Sequence, residues 1–382
     1  MTKLLPYAQN SYYINAHYLG LTRVLYCVVI ISFIGLPSYT WLGGALDYFF
    51  SPPTASLARI FHGFPGYPFF YALTLLNVIF FFLMFLGFHA RWTSLLFSLT
   101  SILGHNFWYS FGKIDHLLLW IIAPIFLGFA GWGDHFSVES LSKRPPKLTD
   151  HNSQHNNSLL IFLLAMTIGF SMFTAGVQKL LSGWPNWHSE AVRFHLIKNY
   201  FSLDREELLS SWFLHIHNHI LWKVMDYSAL LLELGFLFSI IHVRIFRSFI
   251  AVAVVFHFIV LLMYNIPFYS NIIAYMIFTD WEILDPRAKI PRLIDNVKAY
   301  NSVIKIVVMI SLVFFCYWCV FLINHAGSLS LPGFFESVFN AFDISDGYKF
   351  SLYLLFLSSM VFLILMCFFK VRRKYSSREV PT

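Results

Sequence analysis

Apolar segments long enough to cross a lipid bilayer recur along this chain, and they constrain its fold more than any other feature. A helix needs about 20 apolar residues to cross the hydrocarbon core. Of the 382 residues, 58% are hydrophobic and only 12% are charged, whereas about a quarter of the residues in a soluble domain are charged. The sequence therefore predicts an all-α fold, a polytopic transmembrane helical bundle.

The apolar runs predict about ten membrane-spanning helices. The eighth run is short and holds Asn271, so a re-entrant or interfacial segment is the alternative there. The spans fill most of the chain, and we expect one membrane domain followed by a basic cytoplasmic tail, residues 370–382. The predicted spans are residues 18–37, 68–88, 92–109, 115–132, 159–181, 222–242, 246–264, 267–280, 304–325 and 350–369.

Basic residues are distributed unevenly between the loops. With the amino terminus inside, the inner segments and the span ends next to them hold 17 lysines and arginines, and the outer segments with their span ends hold 7. Because cytoplasmic loops carry the excess of basic residues, both termini are predicted to lie inside. The charges follow a membrane topology, so we expect the lipid bilayer, and no nucleic acid, as a partner.

Two longer loops connect the spans. The inner loop 133–158 is polar and is predicted to be a linker. The outer loop 182–221 is larger. Its Trp184, Trp187 and Trp212 are suited to the membrane interface, where tryptophan is enriched.

Few ionisable side chains lie within the predicted spans. They include Arg23, His116, Lys179, Glu233 and His257. A charged side chain in a span costs about 2.5–3.5 kcal/mol on insertion scales, so such residues usually face the interior of the bundle. They are therefore the candidate functional residues.

Lys179 ends the fifth predicted span. At helical spacing, residues 165, 169, 172 and 176 lie on its face, and three of these four are alanine or glycine. Small residues let a second helix approach closely, so Lys179 is predicted to project from a packed face. A buried lysine can serve as a base near neutral pH. A lysine that reaches from a helix end to the membrane interface is the alternative.

Three other residues accompany Lys179. The topology places His116, which follows Asp115, at the outer end of its span, and His257 a few turns deeper. One outward-facing cavity could collect both histidines with Lys179, although each alone also suits a polar contact between helices. Glu233 lies in the middle of the sixth span, and Arg23 is predicted to anchor structure or a lipid headgroup.

Two further patterns contain metal-binding or redox-active residue types. Cys316 and Cys319 form a C-x-x-C pattern inside the ninth span, away from the helix start that such redox pairs occupy. His215, His217 and His219 alternate, and an extended strand would place all three on one face. We predict that both patterns are inert and that the chain binds no metal.

Several short stretches resemble those of one membrane protein family. The chain is similar, over about residues 18–285, to the transmembrane domain of vitamin K-dependent gamma-carboxylase and its mostly bacterial relatives, the horizontally transferred transmembrane domain (HTTM) family. Residues 1–285 would form an HTTM-like membrane core, and residues 286–369 would add two further membrane helices of the same domain. The stretches are LGLTR (19–23), LGFHAR (86–91), DH (115–116), SVE (137–139), AGVQKL (175–180) with Trp184, LLEL (231–234) and FH (256–257).

The resemblance implies chemistry on a vitamin K-like quinol. It makes Lys179 the base that deprotonates the quinol, His116 its partner, and His257 a supporting residue. Asp115 and Glu233 are candidate cavity-lining residues. Two features depart from the carboxylase pattern: residues 370–382 are a short basic stretch where the carboxylase continues into a large lumenal domain, and Asp115 replaces the asparagine of an Asn-His pair.

The leading expectation is a membrane enzyme that performs lysine-based chemistry on a lipid-soluble quinol in an outward-facing cavity. A secreted peptide or protein is a candidate substrate, and a bacterial cell (inner) membrane is the expected location. The alternative is a non-enzymatic membrane partner in the maturation, export or assembly of another protein. A transporter is a third reading, disfavoured because the polar groups cluster at one side of the membrane.

Overall fold

The computed structural model describes residues 11–112, 118–142, 151–206, 208–266, 268–279, 281, 356–361 and 363. These residues form helices, turns and irregular connections, and no strand occurs among them. The predicted all-α fold is confirmed for this part of the chain. Its α-helices are α1 Ala16–Val29, α2 Tyr67–Leu86, α3 Ala90–Trp108, α4 Leu118–Phe129, α5 Val138–Ser142, α6 His151–Leu181, α7 Ala191–Ser202, α8 Ser210–Leu214, α9 His219–Ser239, α10 Val243–Tyr264 and α11 Tyr269–Met276.

Three helical segments of the described part are long and apolar enough to cross a membrane. They are α2, the Asn157–Leu181 part of α6, and α10. Two shorter apolar helical segments are Ala16–Ser32 and Leu118–Phe129. These segments agree with an integral membrane protein. The number of crossings and the side of each terminus remain predictions.

Three predicted spans form helices of a different character. Helix α3, at the third predicted span, is long enough to cross but is not among the candidate membrane-crossing helices. Helix α9 is long enough to cross, but it carries the charged residues Lys223, Asp226 and Glu233. Helix α11, at the eighth predicted span, has 8 residues and covers only about 12 Å. An α-helix of that length cannot cross the hydrocarbon core by itself. The ninth predicted span and most of the tenth lie outside the described residues.

Local signals set several helix ends. Helix α2 has proline in its first turn and ends at Gly87, which adopts a left-handed conformation with φ of 71°. The side chain of Asn218 accepts a hydrogen bond from Leu221 N at the start of α9. His242 caps α10 in the same way, through Arg244 N. These caps place the ends within a few residues of the predicted boundaries.

The polar residues before the fifth predicted span are helical, so the predicted linker is shorter than expected. Helix α6 begins at His151 rather than near residue 159. Asn157 provides a physical reason, because its buried side chain contacts three backbone groups in other segments. It accepts from Ile14 N and donates to Ile14 O and Ala130 O. These contacts hold the polar end of α6 against the protein.

The described residues divide into two compact units. Residues Ile14–Leu160 belong to the first, and Ile161–Asp280 belong to the second. In the first unit, α3 packs against both α2 and α4. The second unit has an apolar core formed by α7, α9, α10 and the segments between them, with Trp184, Leu196 and Trp222 at its centre.

Arg23 connects α1 to the segment after α4 in the first unit. Its guanidinium is fully buried and donates to the main-chain carbonyls of Trp132 and Phe136, beyond the end of α4. Gly87 makes this possible, because a Cβ there would lie 2.8 Å from an Arg23 nitrogen. Of the two predicted roles for Arg23, the structure therefore supports structural anchoring and not headgroup binding.

Candidate functional site

The small-residue face of α6 packs against α9, as the sequence predicts. Ala165 and Met172 are buried, and Gly169 lies against the Phe236 region of α9. A Cβ on Gly176 would lie 3.0 Å from the Cβ of Glu233. The absence of a side chain at Gly176 lets the two helices approach closely enough for their charged residues to meet.

Lys179 and Glu233 meet at this helix contact and form an ion pair. The ammonium of Lys179 donates a hydrogen bond to Oε1 of Glu233. The Glu233 side chain is 6% exposed and the Lys179 side chain 26% exposed, so Lys179 is the more accessible member of the pair. Oε2 of Glu233 has no hydrogen-bond partner among the described residues. The pair therefore has one lone-pair site that a hydrogen-bond donor could occupy.

Trp184 covers the ammonium of Lys179. The Nζ atom lies 5.1 Å from the Trp184 ring centroid, within the range of a cation–π contact. The sequence predicted Trp184 at the membrane interface, but its side chain is buried. The loop after α6 folds its indole onto Lys179 and the core, and the position of Trp184 relative to the membrane stays a prediction. Trp187 and Trp212 are exposed, as an interfacial residue would be.

A second ion pair holds the loop that carries Trp184. Lys223 and Asp226 are 1% and 0% exposed, and their charged atoms lie 2.9 Å apart. Lys223 also donates to the carbonyls of Trp184 and Asn186 at 2.9 Å each. Asp226 accepts from the amides at the start of α7, including Val192 N at 2.8 Å. This pair fixes where Trp184 and α7 lie.

His195 completes the surroundings of Lys179. Its ring centroid lies 5.6 Å from that of Trp184. Burial lowers the pKa of His195, and the nearby charges of Lys179 and Lys198 lower it further. The imidazole is therefore neutral at neutral pH, where it can both donate and accept a hydrogen bond.

His257 belongs to a separate buried cluster in the same unit. Its Nε2 lies 3.3 Å from both the Tyr275 hydroxyl and the Asn271 amide nitrogen. Phe268 stacks on the imidazole with a centroid distance of 4.7 Å. The Tyr275 hydroxyl also contacts the sulfur of Met172, one turn before Gly176 on the packed face of α6. His257 thus contacts Lys179 only indirectly, through packed side chains.

His116 and Asp115 lie outside the described residues, so the predicted meeting of His116 with Lys179 stays a prediction. The sequence predicts Lys179, Glu233 and His257 as candidate residues but does not pair Lys179 with Glu233. Lys223, Asp226 and His195 were not predicted as functional residues. One available signal was the i, i+3 spacing of Lys223 and Asp226 at the start of a predicted span, which places the two side chains on one helix face.

The three alternating histidines engage different partners. His219 contacts Glu190 at 2.8 Å, His217 contacts Arg193 at 3.2 Å, and His215 contacts a backbone carbonyl. The hydrogen bond from Arg193 lowers the pKa of Glu190. In the described ranges, no three metal-binding side chains converge. Cys316 and Cys319 lie outside these ranges, and the absence of a bound metal remains a prediction.

The arrangement at Lys179 suits proton transfer from a largely apolar substrate that carries an exchangeable proton. A carboxylate and an ammonium in direct contact can exchange a proton, and together they can accept one more. The low-dielectric surroundings strengthen the attraction between the pair and a developing anion. The indole of Trp184 offers a flat apolar surface beside the charges.

Comparison with known proteins finds no matching family model, no matching curated protein and no matching solved structure. The resemblance to the HTTM family therefore stays a prediction from the quoted stretches. The membrane character and the candidate site rest on the sequence and on the geometry described above.

Proposed function

We propose that this protein is a membrane enzyme that removes a proton from a lipid-soluble quinol or a similar hydroxyl compound. The observation that carries the proposal is the contact between Lys179 and Glu233, with Oε2 of Glu233 unpartnered among the described residues. A buried, unpartnered carboxylate oxygen is costly, and a donating hydroxyl group would satisfy it. Placing the proton acceptor among apolar side chains suits a substrate dissolved in lipid.

Lys179 and Glu233 would act as one base. The pair holds one shared proton before the reaction and two after it. When the shared proton resides on Glu233, the neutral amine of Lys179 takes the hydroxyl proton, and the oxyanion that remains lies next to the resulting ammonium. His195 can donate a hydrogen bond from the loop side, while Trp184 excludes water. One proton is therefore lost by the substrate and gained by the pair.

We also propose that the chain belongs to the HTTM family and lies in a bacterial cell membrane. Stretches that resemble the family but lie far apart in sequence pack together in two clusters, and this packing supports the proposal. Arg23, Gly87 and Ser137 come together in the first unit. Gly176, Lys179 and Glu233 come together in the second. A secreted peptide or protein as a further substrate is part of the same proposal.

The test measures turnover of vitamin K hydroquinone by the protein in phospholipid vesicles, followed as oxidation to the quinone in air. General acid–base catalysis contributes about 10²–10⁴-fold, so Glu233→Gln and Lys179→Arg should each lower the rate by about that factor. Glutamine accepts no proton, and arginine stays protonated and cannot share one. Gln178→Ala, an exposed neighbour on α6, is the control and should keep the wild-type rate.

Full activity in either Lys179→Arg or Glu233→Gln would contradict the pair as the base. If the wild-type protein turns over no hydroquinone, and if it carries no quinone lipid through purification, the enzyme proposal fails. The non-enzymatic role in maturation or export of another protein would then be favoured.

A further inference from the structure

Helix α7 has two apolar sides, although it lies between the predicted spans. Val192, Leu196 and Asn199 are buried and face the core of the second unit. On the opposite side, Phe194, Ile197 and Phe201 follow each other at helical spacing and are 64%, 36% and 68% exposed. An exposed apolar surface of this kind marks a site of interaction.

The position of α7 relates this exposed face to the membrane. The hydroxyl of Tyr264, the last residue of the candidate span α10, donates to Val192 O at 2.8 Å. Leu209 N, in the segment after α7, donates to Leu262 O in the last turn of α10. The Trp184 side chain against α7 also covers Lys179 at the end of α6. Helix α7 therefore lies where two candidate spans end.

The charges on α7 favour phospholipid over other apolar partners. The helix sequence contains Arg193 and Lys198 but no acidic residue. Lys198 is exposed and falls on the same side as Phe194 and Phe201. A lysine in an apolar face can bury its methylene chain among lipid tails while its ammonium reaches a phosphate.

We propose that α7 lies in the plane of the membrane interface, with Phe194, Ile197 and Phe201 inserted among the acyl chains and Lys198 at the phosphates. The helix is about 18 Å long, too short to cross the bilayer and suited to lying along it. Interfacial helices bury their apolar face about 5–10 Å into the headgroup and acyl boundary. Leu209 and Trp212 of the following segment are also exposed and apolar. This proposal does not depend on the enzyme proposal.

The test places the photoreactive residue p-benzoylphenylalanine at position 194 or 201 of the full chain. The protein is reconstituted in vesicles of phosphatidylethanolamine and phosphatidylglycerol and irradiated. Intact-mass measurement then identifies what has been captured. Both positions are well exposed and the new side chain resembles phenylalanine, so we expect the fold to be retained. His188, an exposed loop residue before α7, is the matched control position.

Phospholipid adducts should form at positions 194 and 201 about tenfold more than at position 188, because only the first two would lie among acyl chains. Equal yields at all three positions would overturn the proposal. Adducts with a second copy of the chain would also overturn it, because they would make this face an interface between copies. The absence of any lipid adduct at positions 194 and 201 would overturn it as well.

Discussion

Burial decides what each charged residue contributes to this protein. The pairs Lys223–Asp226 and Arg193–Glu190 have the same i, i+3 spacing and similar charge separations of 2.9 and 2.8 Å. The first is almost completely buried, while the second is 26% and 17% exposed. Removing one member of a buried pair leaves an uncompensated charge in a low-dielectric environment, whereas water compensates an exposed one.

Substitution of the two pairs should therefore have different effects on stability. Asp226→Asn should lower the free energy of unfolding by about 3–5 kcal/mol, because Lys223 would stay buried without a counter-charge. Arg193→Gln should cost about 0–1 kcal/mol. The measurement is chemical unfolding in detergent micelles, followed by tryptophan fluorescence. Equal losses in the two variants would show that Lys223 finds another partner or becomes hydrated.

At the scale of elements, the contact between α6 and α9 brings the candidate site together. Gly176 sets the distance between the helices, since its ideal Cβ would lie 3.0 Å from both Glu233 Cβ and Leu234 N. A backbone neighbour cannot rotate away as a flexible side chain can. A larger residue at 176 must therefore push the helices apart, and Lys179 with them.

Gly176→Val should lower the free energy of unfolding by about 1–3 kcal/mol, the usual cost of overpacking, and should lower hydroquinone turnover. Thr174→Val is the control, because Thr174 is exposed on the same helix. It should be close to wild type in both measurements, which are unfolding in micelles and turnover in vesicles. Wild-type stability in Gly176→Val would mean that α6 and α9 are not held at this distance.

At the scale of the whole molecule, the uneven distribution of basic residues predicts the topology. The inner segments with the span ends next to them hold 17 of them, and the outer segments with their span ends hold 7. The loops most informative for this prediction are the basic one after residue 142 and the loop before α7, because they flank the Asn157–Leu181 candidate span.

Cysteine accessibility in intact cells tests the topology. A cysteine introduced at His188 should react with a membrane-impermeant thiol reagent, while one at Ser142 or Ser376 should be protected until the cells are opened. The wild-type chain is the control, since Cys27 is buried and the other cysteines lie in predicted spans. Reaction at position 142 but not at position 188 would show that the predicted membrane topology is inverted.

The sequence by itself determined the all-α class and the approximate extents of most helices in the described part. It did so because apolar length and helix caps are local properties. It also identified the small-residue face of α6, since helical spacing alone places Gly169 and Gly176 together. Only the tertiary structure paired Lys179 with Glu233, 54 residues apart, and placed Trp184 over Lys179. The buried partners of Lys223 and the packing of one face of α7 against the core were likewise decided by contacts between distant segments, which no local pattern encodes.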